Sequence, residues 1–468
     1  MSSIRNRSQA NFDWISFSLY VSLVVIGALM LYATDHTAQQ ADYLAFSESF
    51  KRQLIWVGIS FVMCLMCLIV DWKVWLTFAY PIFGISIVLL LFVLIFGVEV
   101  KGAKSWLSLV GFRFQPSQFA KMGACLALAS FISSIRFKVS EFKSLATVFA
   151  MMIAPALLIL LQPDAGSAIV FGSFLIMFYR AGLSPVLYMF GASFILVFIF
   201  SLIYSPYFVI LCLCIGSLFF FLTQLDNKLV WLGGLIAVSI AAGILFYQGY
   251  QLPAIGGLLV LLVVFMVYLI QQRKSTFSIT LITSLVILSF FSFGSNYAFH
   301  NFLKAHQKDR INVWLQPEKT DPHGSRYNLV QSQAAIGSGG LQGKGFLNGT
   351  MTKLNYVPEQ STDFIFSTIG EEQGFIGSFG IVLLYTFLLI RITIIGERSK
   401  QKFILSYAYG FAGILFIHYF VNIGMTVGVM PIVGIPLPFI SKGGSSLLIF
   451  SMMMGILLKM DMSRMSRV

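Results

Sequence analysis

Long apolar runs recur from one end of this sequence to the other, and they restrict its fold more than any other feature. Only 10% of the residues are charged and 58% are hydrophobic, whereas a soluble domain carries about 25% charged residues. Lipid must therefore be the main solvent, and a helix needs roughly 20 apolar residues to cross a bilayer. About fourteen such runs occur, which predicts an all-α polytopic transmembrane bundle with helices at residues 14–33, 53–70, 75–97, 117–135, 145–162, 165–181, 184–204, 207–224, 229–247, 252–270, 278–298, 364–391, 404–428 and 444–460.

The basic residues predict how this bundle is oriented. Arg5 and Arg7 precede a first apolar run that is too long for the hydrophobic part of a cleaved signal peptide. If the runs alternate from a cytoplasmic N-terminus, most cytoplasmic loops are basic, as the positive-inside rule requires. We assign the net charge of +13 to this rule and to anionic lipids, not to nucleic acid. Both termini are expected in the cytoplasm, and the inner loops and the tail carry Lys73, Arg136, Lys138, Lys143, Arg180, Lys228, Arg273, Lys274, Arg391, Arg398, Lys400, Lys402, Arg464 and Arg467.

The cysteines and histidines give no support for a metal or redox site. All five cysteines lie in apolar runs, and the CxxC pair of Cys64 and Cys67 falls inside a predicted membrane helix. Cysteine is expected there as a small packing residue. The five histidines form no HxxH or HExxH pair, which is the spacing expected of a zinc site on a helix.

One polar stretch, residues 299–363, interrupts the apolar runs and is expected to be a long extracytoplasmic loop. It is basic and contains the glycine-rich run AIGSGGLQGKGFLNGT. The backbone amides of such a run can bind anions, and Lys344 and Lys353 would add positive charge for a headgroup or a diphosphate. An ordinary solvated loop is the alternative.

Asp363 is the carboxylate best placed for chemistry. It begins an apolar run at the end expected to face outwards, where a general base is within reach of substrate. Alternatively, an acid in the first turn stabilises a helix through its dipole. Glu371 and Glu372 follow about 12 Å deeper, at 1.5 Å per residue, and one of them is expected to face the bundle interior and pair with a basic or hydroxyl group.

Three breaks in the apolar runs bring further polar residues to the end of the bundle that is expected to face outwards. FQPSQFAKM contains Lys121, which either extends towards the surface or pairs with an internal acid. LQPDAGSAIV contains Asp164, which either caps the next helix or contacts substrate. VGIPLPFISKGGSSLLIF contains two prolines, which exclude a regular helix, so the chain is expected to fold back before its last span.

Six ordered stretches resemble the SEDS family of RodA and FtsW proteins, and its RodA-like branch more closely. They span residues 113–448 and read RFQPSQFAK, QPDAGSAIV, QSQAAIGSGGLQGKGFLNGT, VPEQSTDFIFSTIGEEQGF, VNIGM and GIPLPFISKGGSSLL. The resemblance implies a single integral membrane domain over residues 1–468 with a ten-helix core. Residues 207–298 would then supply about four extra transmembrane helices, an even number that leaves the later topology unchanged.

The resemblance also implies a function. SEDS proteins of this branch are peptidoglycan glycosyltransferases of the bacterial inner membrane, which polymerise lipid II into glycan strands during cell elongation. The implied partners are a class B penicillin-binding protein that crosslinks the strands and other membrane proteins of the elongation complex. A divalent cation such as Mg²⁺ would be the cofactor, if one is needed. The alternatives are a flippase for the lipid-linked precursor and a non-catalytic scaffold for the transpeptidase.

The matching motifs carry over the site residues. The aspartate of the family's TDFIF motif falls on Asp363 and implies that it is the catalytic residue. Gln118, Ser105 and Lys442 depart from the glutamate, arginine and tyrosine that the family usually has. Candidate substrate-binding residues are Lys121, Asp164, Lys344, Lys353, Glu359 and Ser441, and candidate cavity residues are Gln115, Ser117, Glu371 and Glu372.

This assignment implies a mechanism. The substrate sugar of such an enzyme is α-linked to a diphosphate and the glycan is β-1,4-linked, so transfer inverts the anomeric carbon. Inversion needs a base that activates the acceptor hydroxyl, without a covalent intermediate. Asp363 is the expected base, and basic residues of the outer cavity, or the divalent cation, would neutralise the departing undecaprenyl diphosphate.

Overall fold

The computed structural model describes residues 12–35, 47–100, 103–109, 112–224, 228–271, 275–303, 305–320 and 324–463. They divide into two compact units, Met1–Leu183 with Asp321–Val468 and Ser184–Thr320. Six basic residues used above to orient the chain lie outside the described residues, namely Arg5, Arg7, Arg273, Lys274, Arg464 and Arg467.

Every predicted span coincides with helix in the structure. Among the described residues, ten helices are long and apolar enough to cross a membrane, and three shorter apolar helices accompany them. The chain is therefore an all-α, multi-pass membrane protein. The helices are α1 (Trp14–Asp35), α2 (Glu48–Ile69), α3 (Trp72–Thr77), α4 (Ala79–Phe96), α5 (Pro116–Ser133), α6 (Phe142–Leu161), α7 (Ala165–Val170), α8 (Phe174–Arg180), α9 (Pro185–Ile203), α10 (Pro206–Leu222), α11 (Lys228–Tyr247), α12 (Gln251–Gln271), α13 (Ser275–Asn301), α14 (Ala305–Leu315), α15 (Ser325–Ser338), α16 (Thr350–Lys353), α17 (Ile365–Glu397), α18 (Lys402–Val427) and α19 (Gly444–Met462).

The centre of the larger unit is made of α5, α18 and α19. Most of the apolar window of α18 (67%) and of α19 (78%) is buried, against 33% or less for each of the other long apolar helices. Nearly every residue of α5 is buried as well. Polar side chains on these three helices therefore face protein and not lipid, which is where membrane proteins place functional polar groups.

Small residues allow these helices to approach closely, as is common in membrane bundles. A Cβ at Gly413 of α18 would lie 2.7 Å from the Ser173 carbonyl oxygen, and one at Gly455 of α19 would lie 2.6 Å from the Cys64 carbonyl oxygen. The cysteines in the described residues are all unpaired, and Cys64 and Cys67 are buried against α19. Cys64 and Cys67 therefore pack between helices, as predicted, whereas Cys212 is exposed.

The smaller unit contains α9–α14. Its core is aliphatic and aromatic and includes Leu218, Phe221, Leu258 and Leu262. Ser184 and Ser205 cap α9 and α10, each just before a proline that begins its helix, a favourable combination at a helix N-terminus.

A small antiparallel sheet follows α4 and was not anticipated from the sequence. It consists of β1 (Val98–Val100), β2 (Ala103–Leu109) and β3 (Phe112–Phe114), in the order β1-β2-β3. Ser105 is buried in β2. The neighbouring Lys104 donates a 2.9 Å hydrogen bond to the Ile95 carbonyl oxygen at the end of α4, so it satisfies a helix C-terminus.

The polar stretch at 299–363 also differs from a simple loop. It contains α14 in the smaller unit and α15 and α16 in the larger one. Within the larger unit, Ser332 and Gln333 of α15 donate hydrogen bonds of 3.0 and 2.8 Å to the carbonyl oxygens at the end of α18. This part of the stretch is therefore packed against the bundle and satisfies the last carbonyls of a membrane helix.

A cluster of ion pairs joins the start of α1 to the C-terminal ends of α17 and α19. Asp13, just before α1, accepts two 2.8 Å hydrogen bonds from Arg391 and one of 3.0 Å from Arg398, and Arg398 also binds Asp461 of α19. Burial tends to raise the pKa of Asp13, but the hydrogen bonds from Arg391 and Ser16 and the two guanidinium charges outweigh burial and lower it.

This lowered pKa sets a pH dependence of stability. A carboxyl whose pKa is lower in the folded state contributes stability above its unfolded pKa, and this contribution is lost as the pH falls through the folded pKa. We expect Asp13→Asn to lower the free energy of unfolding by about 2 kcal/mol near neutral pH. The melting-temperature difference from the wild type should then shrink as the pH falls through the lowered folded pKa of Asp13.

The measurement is thermal unfolding of both proteins in one detergent from neutral to acidic pH. Glu141→Gln, which alters an exposed carboxylate bound to Lys138, is the matched control and should match the wild type near neutral pH. A difference between Asp13→Asn and wild type that grows as the pH falls would contradict this account.

Candidate functional site

Asp363 lies in the turn that precedes α17 and is half-buried. The helix begins at Ile365, so Asp363 is not within its first turn. The backbone carbonyl of Asp363 accepts a 2.8 Å hydrogen bond from the Asn422 side chain of α18. The carboxylate is thus on a turn fixed to a buried helix, with part of its surface open.

The irregular segment between α18 and α19, residues 428–443, packs against this turn. The Asn422 amide also donates a 2.7 Å bond to the Ile435 carbonyl oxygen, and Tyr385 donates to that of Pro438. Gly434 has a φ of +72°, and a Cβ there would lie 3.2 Å from Asp363 Oδ2. The segment therefore forms one wall of the space around the carboxylate.

This contact predicts the effect of Gly434→Ala. Alanine at a left-handed φ costs about 1–2 kcal/mol, and the added methyl group would press on the Asp363 carboxylate. We expect any reaction that depends on this carboxylate to slow about 10-fold or more, because small displacements of a reacting group are costly. Gly249→Ala is the control, since Gly249 has a φ of +93° and open space around its Cβ position; equal activity in the two variants would contradict the contact's importance.

Lys121 of α5 is buried and lies at the centre of a polar network. Its ammonium is 3.2 Å from Gln118 Oε1 and 3.0 Å from His418 Nε2. Gln118 donates to Gln115 Oε1 at 3.3 Å, and Gln115 donates to Asp164 Oδ2 at 2.9 Å. Of the two predicted alternatives for Lys121, extension to the surface is excluded, and two amides link it to an internal acid.

Asp164 also caps a helix, so capping and network membership coexist. Its other oxygen accepts a 3.0 Å hydrogen bond from the backbone N–H of Ser167 in α7. Ser167 in turn accepts a 3.2 Å bond from the Ser117 hydroxyl. A Cβ on Gly166 would lie 2.7 Å from the Val433 carbonyl oxygen, so this helix start rests on the wall that borders Asp363.

Glu371 anchors the segment 344–352 to α17. Its carboxylate is fully buried and accepts bonds from the Lys344 ammonium at 2.6 Å, the Met351 N–H at 2.9 Å, and the N–H and hydroxyl of Thr352 at 2.9 and 2.7 Å. Thr350 donates a further, longer bond of 3.3 Å. Glu371 therefore holds this segment in place and has little capacity left for substrate.

The glycine-rich run fits a break in α17. Gly374 is non-helical, with φ 64° and ψ −160°, which frees backbone groups on both sides of it. The N–H groups of Lys344 and Gly345 donate to the Glu371 and Glu372 carbonyls, while Phe375 and Ile376 donate to the Gly340 and Leu341 carbonyls. The amides of 344 and 345 are therefore paired within the protein, which satisfies irregular backbone in a membrane helix and leaves those two unavailable to an anion.

The remaining candidates hold less central positions. Ser441 donates to the Thr362 carbonyl at 2.6 Å and accepts from the Leu437 N–H at 2.8 Å. It therefore links the turn that carries Asp363 to the 428–443 segment. Glu359 is exposed and accepts a 3.1 Å bond from Thr362. Lys353 ends α16 and is half-buried, and Glu372 is buried beside Gly349.

The structure thus forms two groups at one end of α17. The first links Lys121, Gln115 and Asp164 through α18 to Asp363, and the second links Lys344 to Glu371. His418 and Asn422 join the first group but were not singled out from the sequence. Asn422 lies within the VNIGM stretch, which was a usable signal for it, whereas His418 had none.

The described residues do not converge on a metal. No group of three or more histidine, cysteine, aspartate or glutamate side chains among them is arranged to hold an ion. Asp164 is already occupied by hydrogen bonds from Gln115 and Ser167. Magnesium is usually held by only one or two carboxylates together with substrate phosphates, so the divalent cation stays a prediction.

Comparison with known families and proteins gives consistent matches over nearly the whole chain. Residues 13–212 and 221–466 match the family described as "Cell cycle protein", FtsW/RodA/SpoVE. The peptidoglycan glycosyltransferase RodA of Treponema pallidum is 31% identical, with 98% of this chain and 99% of the relative covered. The peptidoglycan glycosyltransferase MrdB of Escherichia coli K12 is 30% identical, with 88% and 86% covered.

Solved structures show the same fold. A chain from a study of polymerization and crosslinking by a peptidoglycan synthase complex superposes with a TM-score of 0.60 at 24% identity, with 97% of this chain and 98% of that chain covered. Rod shape determining protein RodA of Thermus thermophilus gives 0.56 at 22% identity, with 97% of each chain covered.

Proposed function

This chain belongs to the FtsW/RodA/SpoVE family of cell cycle proteins, and we propose that it polymerises lipid II into peptidoglycan strands during cell elongation. It is a glycosyltransferase, as its full-length relatives of about 30% identity are. The observation that carries the proposal is the position of Asp363, a half-buried carboxylate on a rigid turn at the end of a membrane bundle, next to a buried lysine network.

The carboxylate is suited to general base catalysis. A base must be reachable by substrate and held on rigid elements. Asn422 and Gly434 fix the turn and the wall beside it. Asp363 takes the proton of the acceptor's 4-hydroxyl while the hydroxyl oxygen attacks the anomeric carbon of the growing strand's terminal sugar. The bond from that carbon to the diphosphate breaks, and undecaprenyl diphosphate leaves as an anion.

The leaving diphosphate is already stable as an anion and needs charge compensation, not a proton. Lys344 is bound to Glu371 and Thr350, which reduces its free charge. Lys353, half-buried at the end of α16, therefore suits this role better than Lys344. Lys121 is buried and bonded to Gln118 and His418, so it contributes positive potential to the site from within the bundle.

An apolar cleft of about 350 Å³ supports a lipid-linked substrate. It lies between α1 and α17, and its lining includes Leu29, Met30, Ile369 and Ile381, with Phe346 of the glycine-rich run at its edge. Such a surface accommodates part of an isoprenoid chain, while the diphosphate stays with the polar residues at the end of α17.

The reaction takes place at the extracytoplasmic face in this proposal. The Asp363 end of α17 faces outwards, and the opposite end, with Asp13, Arg391 and Arg398, faces the cytoplasm. The basic loops that follow α5 and α17 support this orientation through the positive-inside rule. Both termini are then cytoplasmic, in the bacterial inner membrane.

A class B penicillin-binding protein is the proposed partner. One solved relative comes from a peptidoglycan synthase complex in which polymerization and crosslinking are coordinated, and this chain has the same fold. Strands made here would pass to that transpeptidase, within a complex that includes other membrane proteins of cell elongation.

The test is a polymerisation assay with purified protein and labelled lipid II, with and without the partner. Glycan chains resolved by length are the expected product. Lipid II moved across proteoliposomes without chain formation would instead indicate a flippase. Chains formed only by an added, separate polymerase would indicate a scaffold, and either result would overturn the proposal.

A further inference from the structure

Lys121 and His418 form a buried pair of two basic side chains. They are 2% and 0% exposed, and Lys121 Nζ lies 3.0 Å from His418 Nε2. Two cations at this separation in a protein interior would repel strongly. The pair is therefore stable only if one partner is neutral and accepts a hydrogen bond from the other.

The other ring nitrogen identifies the protonation state of His418. His418 Nδ1 lies 3.0 Å from the Pro436 carbonyl oxygen, and a carbonyl oxygen only accepts hydrogen bonds. Nδ1 must therefore carry the proton. Since an alkylamine is a stronger base than imidazole, the shared proton stays on Lys121, and Nε2 is the acceptor.

The hydrogen bonds then run in one direction through the network. Lys121 donates to Gln118 Oε1 and to His418 Nε2, Gln118 donates to Gln115, and Gln115 donates to Asp164. Each amide accepts with its oxygen and donates with its nitrogen. The ammonium is thereby connected to a carboxylate without touching it, which explains how the chain accommodates glutamine at 118.

His418 connects this network to the 428–443 segment beside Asp363. It lies one helical turn before Asn422 on the same face of α18. His418 holds the Pro436 carbonyl, and Asn422 holds the carbonyls of Ile435 and Asp363. Phe450 of α19 packs edge-on against the imidazole, with ring centroids 5.1 Å apart, and fixes its plane.

We propose that His418 is a positioning residue for glycosyl transfer. As a neutral imidazole protonated on Nδ1, it bridges Lys121 and the 428–443 segment. It thereby sets the distance between the Lys121 ammonium and Asp363. This inference deepens the proposed function and rests on it. A side chain that accepts at one end and donates at the other preserves the bridge, and a purely apolar one of similar size does not.

The first test compares His418→Gln with His418→Phe in the lipid II polymerisation assay. Glutamine accepts from Lys121 and donates to Pro436, so its variant should keep kcat within about 5-fold of the wild type. Phenylalanine fills the space but breaks both bonds, and kcat should fall about 10-fold to 100-fold with KM nearly unchanged. His300→Phe, at an exposed histidine of the smaller unit, is the control for the substitution itself.

A second measurement guards against simple misfolding. In a double-mutant cycle, Lys121→Met and His418→Phe should be strongly non-additive, because both remove the same bridge. Nitrogen-15 NMR of histidine-labelled protein in bilayers should show His418, identified by its loss in His418→Gln, protonated on Nδ1 only. This spectrum is independent of activity, so it separates failure of this inference from failure of the proposed function.

The outcomes are distinct. Wild-type protein without polymerase activity would overturn the proposed function, whatever the spectrum. Active wild type with equal losses in His418→Gln and His418→Phe, multiplicative effects in the cycle, or a His418 ring protonated on Nε2 would overturn the positioning role.

Discussion

Asp363→Asn is expected to lower the rate of glycan polymerisation by about 100-fold to 10,000-fold, the usual contribution of a general base. Asparagine has nearly the same size and shape as aspartate but cannot take the proton of the acceptor hydroxyl. The backbone bond from Asn422 to the Asp363 carbonyl does not depend on the side chain. Folding and lipid II binding should therefore survive, and the loss should appear in kcat.

The comparison needs a carboxylate variant away from the site. Glu99→Gln suits this purpose, because Glu99 is exposed on β1, and we expect its activity to stay within about 2-fold of the wild type. Thermal unfolding and binding of labelled lipid II should be the same for all three proteins. Loss of lipid II binding in Asp363→Asn alone would reassign Asp363 from base to binding residue.

Glu371→Ala is expected to be the most destabilising substitution in the site. It leaves the Lys344 ammonium without its carboxylate partner and removes the acceptor for the N–H groups of Met351 and Thr352. Breaking a buried ion pair by removing one member typically costs about 3–5 kcal/mol. The segment 344–352 should detach from α17, so both melting temperature and polymerisation should fall.

Limited proteolysis can locate this effect. Cleavage in the 344–352 segment should become faster in Glu371→Ala and stay at the wild-type rate in Glu99→Ala. Glu371→Gln should be intermediate, since its amide oxygen still accepts but carries no charge. A melting temperature of Glu371→Ala equal to that of the wild type would contradict the anchoring role.

The membrane spans were predictable because their signal is local. A run of about 20 apolar residues has few alternatives to a membrane helix, and each predicted run coincides with helix. The short sheet was missed because three strands of three to seven residues carry too little pattern against that background. The break at Gly374 was missed because the carbonyls that pair with the freed N–H groups after it, those of Gly340 and Leu341, come from the glycine-rich run.

Some residues of the candidate site were likewise predictable from the sequence and others were not. Asp363, Lys121 and Asp164 were visible as charged residues at the edges of apolar runs, where an ionisable group is unusual. His418 lies mid-helix with no charged neighbour in sequence, and its partner Lys121 is 297 residues away. Contacts over such separations leave no mark in a single sequence. Ser441 shows the opposite limit, since a motif indicated the residue but not that its hydroxyl is used to join Thr362 and Leu437.

The central claim is that a carboxylate at position 363 accepts a proton during sugar transfer, and chemical rescue tests it most directly. Polymerisation by purified Asp363→Ala would be measured over a range of formate concentrations at constant ionic strength. We expect almost no activity without formate and a rate that rises with formate, as a small carboxylate occupies the vacated position. Polymerisation by Asp363→Ala at the wild-type rate in the absence of formate would contradict it.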